Sequence, residues 1–389
     1  MARGKRNNKG RRFKLFSKSL YFDYTLLTVV LFLICIGLVM LYSVSSYDAN
    51  LSHNDPNFYI KKQLIATGIG LVAMFVVMNL NYRILDNFSV IAYIVSIVLI
   101  LLVVTPLGYG ANGARRWLNI GPFSLQPAEV AKLGVIIFCA ALICRIKDTL
   151  TTGKGIAFMM VPAAIVAGLI YFITDNLSSA LIVMCICVVM FYVATPGYKV
   201  YIIGALGVGL IAGTVILLVY NGILTEEVSY RIGRIRAWIF PEAYASTTAF
   251  QTIQALYAIG SGGFFGKGLG ASLQKQFVPE AQNDMIFAII CEELGLFGAA
   301  LIIGLFVILV WRLFVIANNA PDMFGSMLTI GVLAHIAVQV VFNIAVVTNI
   351  IPNTGISLPF ISYGGSSVVF LLIEMGMVMS VARNTLYES

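Results

Sequence analysis

The feature that most constrains this chain is a succession of ten apolar runs, each near the roughly 20 residues an α-helix needs to cross a bilayer. They fall at 24–46, 63–80, 87–107, 128–145, 156–173, 178–195, 198–221, 284–314, 324–350 and 364–382, with the sixth and seventh parted only by the Pro196–Gly197 turn. Of the 389 residues 60% are hydrophobic and 11% charged, more apolar surface than a soluble domain can bury. That predicts an all-α polytopic membrane protein. The expected plan is a basic cytoplasmic tail (1–20), a single ten-helix membrane domain (21–383) and a short cytoplasmic end (384–389). A long extracellular loop (222–283) separates helices seven and eight.

Charge sets the expected orientation. The first twenty residues hold Arg3, Lys5, Arg6, Lys9, Arg11, Arg12, Lys14 and Lys18 and no acid, a pattern that keeps a tail on the cytoplasmic side. Counting spans from there puts Arg83, Arg145, Lys147, Lys154, Lys199, Arg312 and Arg383 inside as well, in a multi-pass protein of the cell membrane with both termini cytoplasmic. The net charge of +8 comes mostly from the tail and short loops, so it does not point to a nucleic-acid partner. The outer loops break the bias: Arg115 and Arg116 lie in one, and Arg231, Arg234, Arg236, Lys267 and Lys275 in the other. Translocated cations imply something anionic at the outer surface. Six cysteines in apolar segments without a CxxC pair, and only His53 and His335, argue against a zinc or disulfide framework.

The most informative junction is Lys275 to Gly298, where a polar loop carrying Pro279, Glu280, Gln282, Asn283 and Asp284 runs into the eighth span. An Asp just before an apolar run commonly caps a helix, and on these residues alone capping is the favoured reading. The alternative is chemical: low dielectric on one side raises a carboxylate's pKa and makes it a better base. Upstream, Arg231, Arg234 and Trp238 follow a three-then-four spacing that puts them on one face of a helix. Phe250 to Ile259 reads as a second short helix lying in the interface. The run Gly260 to Gly270 permits unusual dihedrals and close backbone approach; with no preceding strand and no GK[ST] it is not a phosphate-binding P-loop.

Charges within spans are costly and so mark candidates. Glu129 and Lys132, three apart, can pair on one helix face, with structural and functional readings equally open. Glu292 and Glu293 lie about 12–14 Å along the helix from Asp284, and Glu374 is mid-way in the last span. His335, Gln339 and Asn343 form an i, i+4, i+8 stripe better read as polar glue between helices.

Three separated segments carry a resemblance. They are Gly113-Ala-Arg-Arg-Trp-Leu-Asn-Ile-Gly121 leading into Ser124-Leu-Gln-Pro-Ala-Glu-Val-Ala-Lys132, then Gly260 to Gly270 with the Lys275–Gly298 junction, then Pro352-Asn-Thr-Gly-Ile-Ser-Leu-Pro-Phe-Ile-Ser-Tyr-Gly-Gly-Ser-Ser367. Together with the ten-span layout they resemble the SEDS family (shape, elongation, division and sporulation), whose members include FtsW, RodA and SpoVE. The resemblance implies a peptidoglycan glycosyltransferase that polymerises lipid II on the outer face of the cytoplasmic membrane. It maps the family's essential aspartate of PEAxxDxIF onto Asp284, the RRW tryptophan onto Trp117, the loop lysine onto Lys275 and the paired arginines before WxxP onto Arg231 and Arg234. Glu292 and Glu293 match the family's EE pair. One departure stands out. Where many members carry PDLGTA, this chain has Asp175-Asn-Leu-Ser-Ser-Ala180, so the expected acid aligns with Asn176.

On that resemblance, polymerisation needs a general base for a sugar hydroxyl, assigned to Asp284, and cations for the leaving undecaprenyl diphosphate. Lys275, Arg231, Arg234 and Arg116 are the candidates. Trp117 either stacks on a sugar or anchors its loop at the interface, and Glu129 and Lys132 are candidates for orienting the wall of a cavity for the polyprenyl tails. No tightly bound cofactor is expected; a divalent cation such as Mg or Mn is compatible with the diphosphate. The implied partners are a class B penicillin-binding protein and other divisome proteins, because the QNDMIF and NTGISLPFISYGGSS wording leans toward the division branch and the septum. A lipid II flippase and a non-catalytic scaffold are the alternatives. The basic residues and the candidate base gather outside while the inner loops are short, which favours the enzyme over the flippase.

Overall fold

A computed structural model describes residues 22–111, 114–120, 123–195, 197–224 and 229–385. The basic tail, Gly113, Gly121, Pro196, the side chain of Lys199 and residues 386–389 lie outside the described residues. In chain order the helices are α1 (Tyr24–His53), α2 (Phe58–Asn79), α3 (Ile84–Asn87), α4 (Ser89–Leu102), α5 (Pro127–Ile146), α6 (Gly153–Thr174) and α7 (Leu177–Ala194). They continue with α8 (Tyr198–Tyr220), α9 (Tyr230–Ile239), α10 (Phe250–Ser261), α11 (Ile286–Asn318), α12 (Met323–Val347) and α13 (Gly365–Arg383). Among the described residues nine helices are long and apolar enough to cross a membrane.

The third expected span is the exception. Its helix, α4, has 14 residues, about 21 Å at 1.5 Å per residue and short of a roughly 30 Å hydrocarbon core. The run to residue 107 does not stay helical: Val103, Val104 and Thr105 each donate to a carbonyl three residues back, a tightening turn that ends the helix. Gly108 then packs so closely that a Cβ there would stand 1.9 Å from the Val103 carbonyl oxygen. The following segment, expected as a plain loop, is a small antiparallel meander of β1 (Gly108–Ala111), β2 (Ala114–Ile120) and β3 (Phe123–Leu125).

The interior is built from α5, α7, α12 and α13, with α11 packed against α12 and α1 against α11 and α2. Small residues let backbones approach where α2 meets α13: a Cβ on Gly376 would lie 2.8 Å from the Met74 carbonyl oxygen, the kind of contact that drives helix association in lipid. By contrast α8 is apolar and, over its described side chains, mostly exposed, with Val219 the one buried residue, a helix suited to a lipid surround.

α11 is two helices joined at Gly295, whose φ is +67°. The glycine-rich loop after α10 fills the break. Lys267 and Gly268 donate their N–H groups to the carbonyls of Glu292 and Glu293, and Leu296 and Phe297 donate to those of Gly263 and Phe264. A helix interrupted at membrane depth frees backbone groups that must be bonded again, and here another stretch of backbone supplies the partners. Gly266, at φ +78° and with a notional Cβ 2.2 Å from the Glu293 carbonyl oxygen, shows why that stretch is glycine-rich.

Candidate active site around Asp284

Asp284 is not the helix cap. α11 begins at Ile286 behind Met285, which leaves the Asp284 carboxylate outside the first turn and free to face elsewhere. Its Oδ1 accepts from Gln251 Nε2 of α10 at 3.3 Å, while Asn343 of α12 donates to its backbone carbonyl at 2.8 Å. Gly355, in the left-handed region at φ +70°, presents its Cα side to the carboxylate, and a Cβ there would lie 3.7 Å from Oδ2. Burial pushes the Asp284 carboxyl up to about 6 and the nearby Glu280 charge adds to the rise, while Arg234 and Gln251 pull the other way. A carboxyl raised that far can exchange a proton near neutral pH.

The segment from Pro352 to Gly364 braids the site together. Asn343 Nδ2 also donates to the Ile356 carbonyl at 2.6 Å, Gln339 Nε2 to that of Ser357 at 3.0 Å, and Tyr363 donates its N–H to the Gln282 carbonyl at 2.9 Å. Gln339 also accepts from Lys132 Nζ at 3.4 Å, and Lys132 pairs with Glu129 at 2.8 Å. Both ions of that pair are buried, and Ser367 donates to Glu129 at 3.3 Å. Two side chains of α12, one turn apart, thus join Glu129 and Lys132 to the backbone that carries Asp284. The third member of the stripe, His335, lies 2.9 Å from Glu374 of α13. The stripe does bridge helices, as expected of polar glue, and its upper two members also position the site.

The arginines converge on the same end of the bundle. α9 starts behind Ser229, whose hydroxyl accepts from the Arg231 N–H, and its one face carries Arg231, Arg234 and Trp238 as their spacing predicts. Arg231 pairs with the Asp175 carboxylate and donates to the Tyr171 hydroxyl at 2.8 Å. Arg234 donates to the Asn353 carbonyl at 3.1 Å, and Trp238 Nε1 to that of Asn349 at 2.9 Å. From β2, Arg116 reaches the carbonyls of Thr174 at 3.3 Å and Asp175 at 2.8 Å; burial draws its pKa down, against the pull of Asp175. Asp175 and Asn176, where the motif departs from the family pattern, hold separate posts. Asp175 ends α6 in the left-handed region and takes Arg231, while Asn176 caps α7 by accepting from the Ser179 N–H at 3.0 Å.

Two predicted residues make their contacts with partners other than Asp284. Trp117 stacks on Tyr109 across the β1–β2 pair, ring centroids 6.0 Å apart. Lys275 donates to the Gly270 carbonyl at 2.7 Å and lies 3.5 Å from Glu293, which is itself held by Ser43 at 2.7 Å. Its neighbour Lys267 lies 2.6 Å from Glu292. The residue pairs Lys267–Glu292 and Lys275–Glu293 therefore clamp the glycine-rich loop onto the broken helix. Sequence reasoning missed Gln251 and Asn353, whose side chains meet at 2.9 Å. Asn353 and Gly355 lay inside a recognised motif without an assigned part. Gln251 had no signal beyond sitting on a short helix.

Comparison with known proteins agrees along nearly the whole chain. A family model described as cell cycle protein, FTSW_RODA_SPOVE, matches residues 24–387. Stage V sporulation protein E of Bacillus subtilis (strain 168) is 39% identical over 368 residues, covering 94% of this chain and 98% of that protein. A probable peptidoglycan glycosyltransferase FtsW of Trichlorobacter lovleyi is 37% identical over 364 residues, covering 93% of each. Among solved structures, a chain from a study of how a peptidoglycan synthase complex coordinates polymerization and crosslinking superposes with a TM-score of 0.77 at 26% identity, over 95% of this chain and 100% of that one. The rod shape determining protein RodA of Thermus thermophilus gives 0.68 at 27% identity, over 95% and 99%.

Proposed function

The chain belongs to the FtsW, RodA and SpoVE family of cell cycle proteins, and from that premise we propose that it is a peptidoglycan glycosyltransferase polymerising lipid II, with Asp284 as general base. The observation that carries the reading is a single carboxylate raised to about 6 at the end of the bundle where Arg116, Arg231 and Arg234 gather. In the step, the ionised Asp284 takes the proton of the 4-hydroxyl of one lipid-linked disaccharide. The oxygen attacks the anomeric carbon of the other, whose bond to the diphosphate oxygen breaks. Undecaprenyl diphosphate leaves with that electron pair. Arg116 and Arg234, each held by backbone carbonyls, are the best placed to meet the departing charge. Arg231 is tied to Asp175, and Lys275, clamped on Glu293, supports the loop that delivers Asp284. Trp117 and the Glu129–Lys132 pair complete the walls, the latter beside the bundle interior that would take the polyprenyl tails.

A divalent cation such as magnesium or manganese fits one chemistry here. Magnesium is commonly held by one or two carboxylates together with substrate phosphates, and Asp284 and Glu280 are the acids available for that. Bound there, it would supply charge to the diphosphate. Among the described residues no group of three or more His, Cys, Asp or Glu converges to hold a metal by itself.

In this reading the end bearing Asp284 faces the outside of the cytoplasmic membrane, with both termini inside and the septum as the site of action, as the charge bias of the loops supports. A crosslinking partner, a class B penicillin-binding protein, and other divisome proteins complete the proposal. The test is lipid II polymerisation by the purified protein, with and without the cognate partner, comparing wild type with Asp284→Ala. Polymer from the wild type and none from the variant supports both enzyme and base. Equal polymer from both removes Asp284 from the chemistry. No polymer with the partner bound returns the protein to translocation or scaffolding.

A further inference from the structure

Two contacts between α1 and α11 set the depth of the membrane on the molecule. At one end Asp23, the cap of α1, pairs with Arg312 at 2.8 Å. The neighbouring Trp311 is exposed, as Trp commonly is at a membrane interface. At the other end Ser43 donates to Glu293 at 2.7 Å. Ser43 is 20 residues beyond Asp23 and Glu293 is 19 before Arg312, about 29–30 Å of helix at 1.5 Å per residue. No charged residue lies within either stretch, and the length matches the roughly 30 Å of a hydrocarbon core. Glu293 therefore marks the hydrocarbon boundary on the Asp284 side.

The glycine-rich loop reaches beneath that boundary. Phe297 is four residues further in than Glu293, about 6 Å along the helix. Its N–H donates to the Phe264 carbonyl at 3.1 Å, as that of Leu296 does to the Gly263 carbonyl at 3.0 Å. The Phe264 and Phe265 rings meet edge to face at 4.9 Å. Both are more than half exposed, and so are Leu296 and Phe297 beside them.

We propose that this edge of the loop is a lipid-binding surface, seated among the acyl chains of the leaflet on the Asp284 side, just beneath the headgroups. The inference needs no particular reaction at Asp284.

Three observations select acyl chains as the partner. The polar groups of the loop turn inward: Lys267 carries its charge to Glu292 at 2.6 Å, and the N–H groups of Lys267 and Gly268 go to the Glu292 and Glu293 carbonyls. Irregular backbone at this depth requires such partners within the protein. The side chains left facing outward are aromatic and aliphatic, a patch that would be a liability in water. The patch also runs on without a break. Phe297, Leu301, Ile308 and Trp311 share one face of α11 by their spacing, and all four are exposed, so the loop prolongs a face that already crosses the hydrocarbon.

The test places a reporter on the loop of the full chain. Phe265→Trp is reconstituted into vesicles of phosphatidylcholine brominated near the carbonyl end of its chains, and the emission of wild type is subtracted to remove the three native tryptophans. Phe297→Trp, on the helix at the same depth, serves as the ruler. The expected result is loss of most of the added emission from both variants, and a smaller loss with lipid brominated at the methyl ends. Loss from Phe297→Trp alone overturns the proposal, because the loop then turns away from the bilayer. Quenching of Phe265→Trp by aqueous acrylamide in place of brominated lipid overturns it as well. No loss from either variant also overturns it, since the face is then covered by protein, in that preparation a second copy of this chain. The reading requires no turnover and stands whether or not polymer forms.

Discussion

The two ends of the bundle treat their arginines differently. At the end away from Asp284, Arg83 lies 2.6 Å from Asp322, Arg145 3.2 Å from Asp86 and Arg312 2.8 Å from Asp23. Each charge meets a carboxylate, and Asp23 and Asp322 also cap α1 and α12. Among the described residues at the Asp284 end, Arg231 alone of the arginines has such a partner, while Arg116 and Arg234 are held by carbonyl oxygens. A carbonyl orients a guanidinium without cancelling its charge. The first end therefore uses arginine to close the structure, and the second keeps a positive field that an anionic ligand can complete.

The most damaging test of this contrast is Asp284→Asn. Loss of a general base lowers turnover by roughly 10²–10⁴-fold, measured as lipid II polymerisation, with thermal stability held near wild type because Asp284 caps nothing. The wild-type rate should also fall as pH drops below about 6, since protonation removes the base. Arg234 pulls that pKa down, so Arg234→Gln should shift the acid limb to higher pH. A profile that is flat from pH 5 to 8 would sink the assignment.

Next in size is Lys275→Met. Removing one partner of a buried ion pair costs about 3–5 kcal/mol, and here it strips Glu293 of its cation. The expected outcome is a lowered melting temperature together with reduced activity. An activity loss at unchanged stability would instead place Lys275 on the substrate.

Smaller again is Arg234→Gln itself, expected to lower kcat for lipid II polymerisation by about tenfold, because the charge it meets grows as the diphosphate leaves. Smallest is Arg83→Gln at the opposite end. Its pair is partly exposed, and exposed pairs are commonly worth about 0.2–1 kcal/mol, so melting shifts slightly and turnover is unchanged. Equal kinetic effects from Arg83→Gln and Arg234→Gln would break the distinction between the ends.

Much of the site was legible because local rules governed it. The three-then-four spacing of Arg231, Arg234 and Trp238 is a helix face wherever that helix sits. Glu129 and Lys132, three apart in an apolar run, have little choice but to pair. The glycines from Gly260 to Gly270 announced close backbone approach, although what they approach, the break at Gly295, is 25 and more residues further on. On local pattern alone Asp284 reads as a cap, the commonest use of that position, and it was the family resemblance that marked it as a base. Its actual hydrogen-bond partner, Gln251, is 33 residues upstream, beyond any local pattern. The third span was overextended for a related reason: hydropathy reads residues 103–107 as apolar but carries no information about the turn and hairpin that follow.

The order of the apolar segments, the helical class and the gathering of basic residues into particular loops can be read along the chain. Those follow from transfer of side chains and backbone out of water, a property each stretch has alone. Packing set which arginines meet a carboxylate, that Lys275 lies against Glu293, and that burial raises the Asp284 carboxyl to about 6. Those quantities depend on what is brought within a few ångströms from distant parts of the chain, and on how much water is left between them.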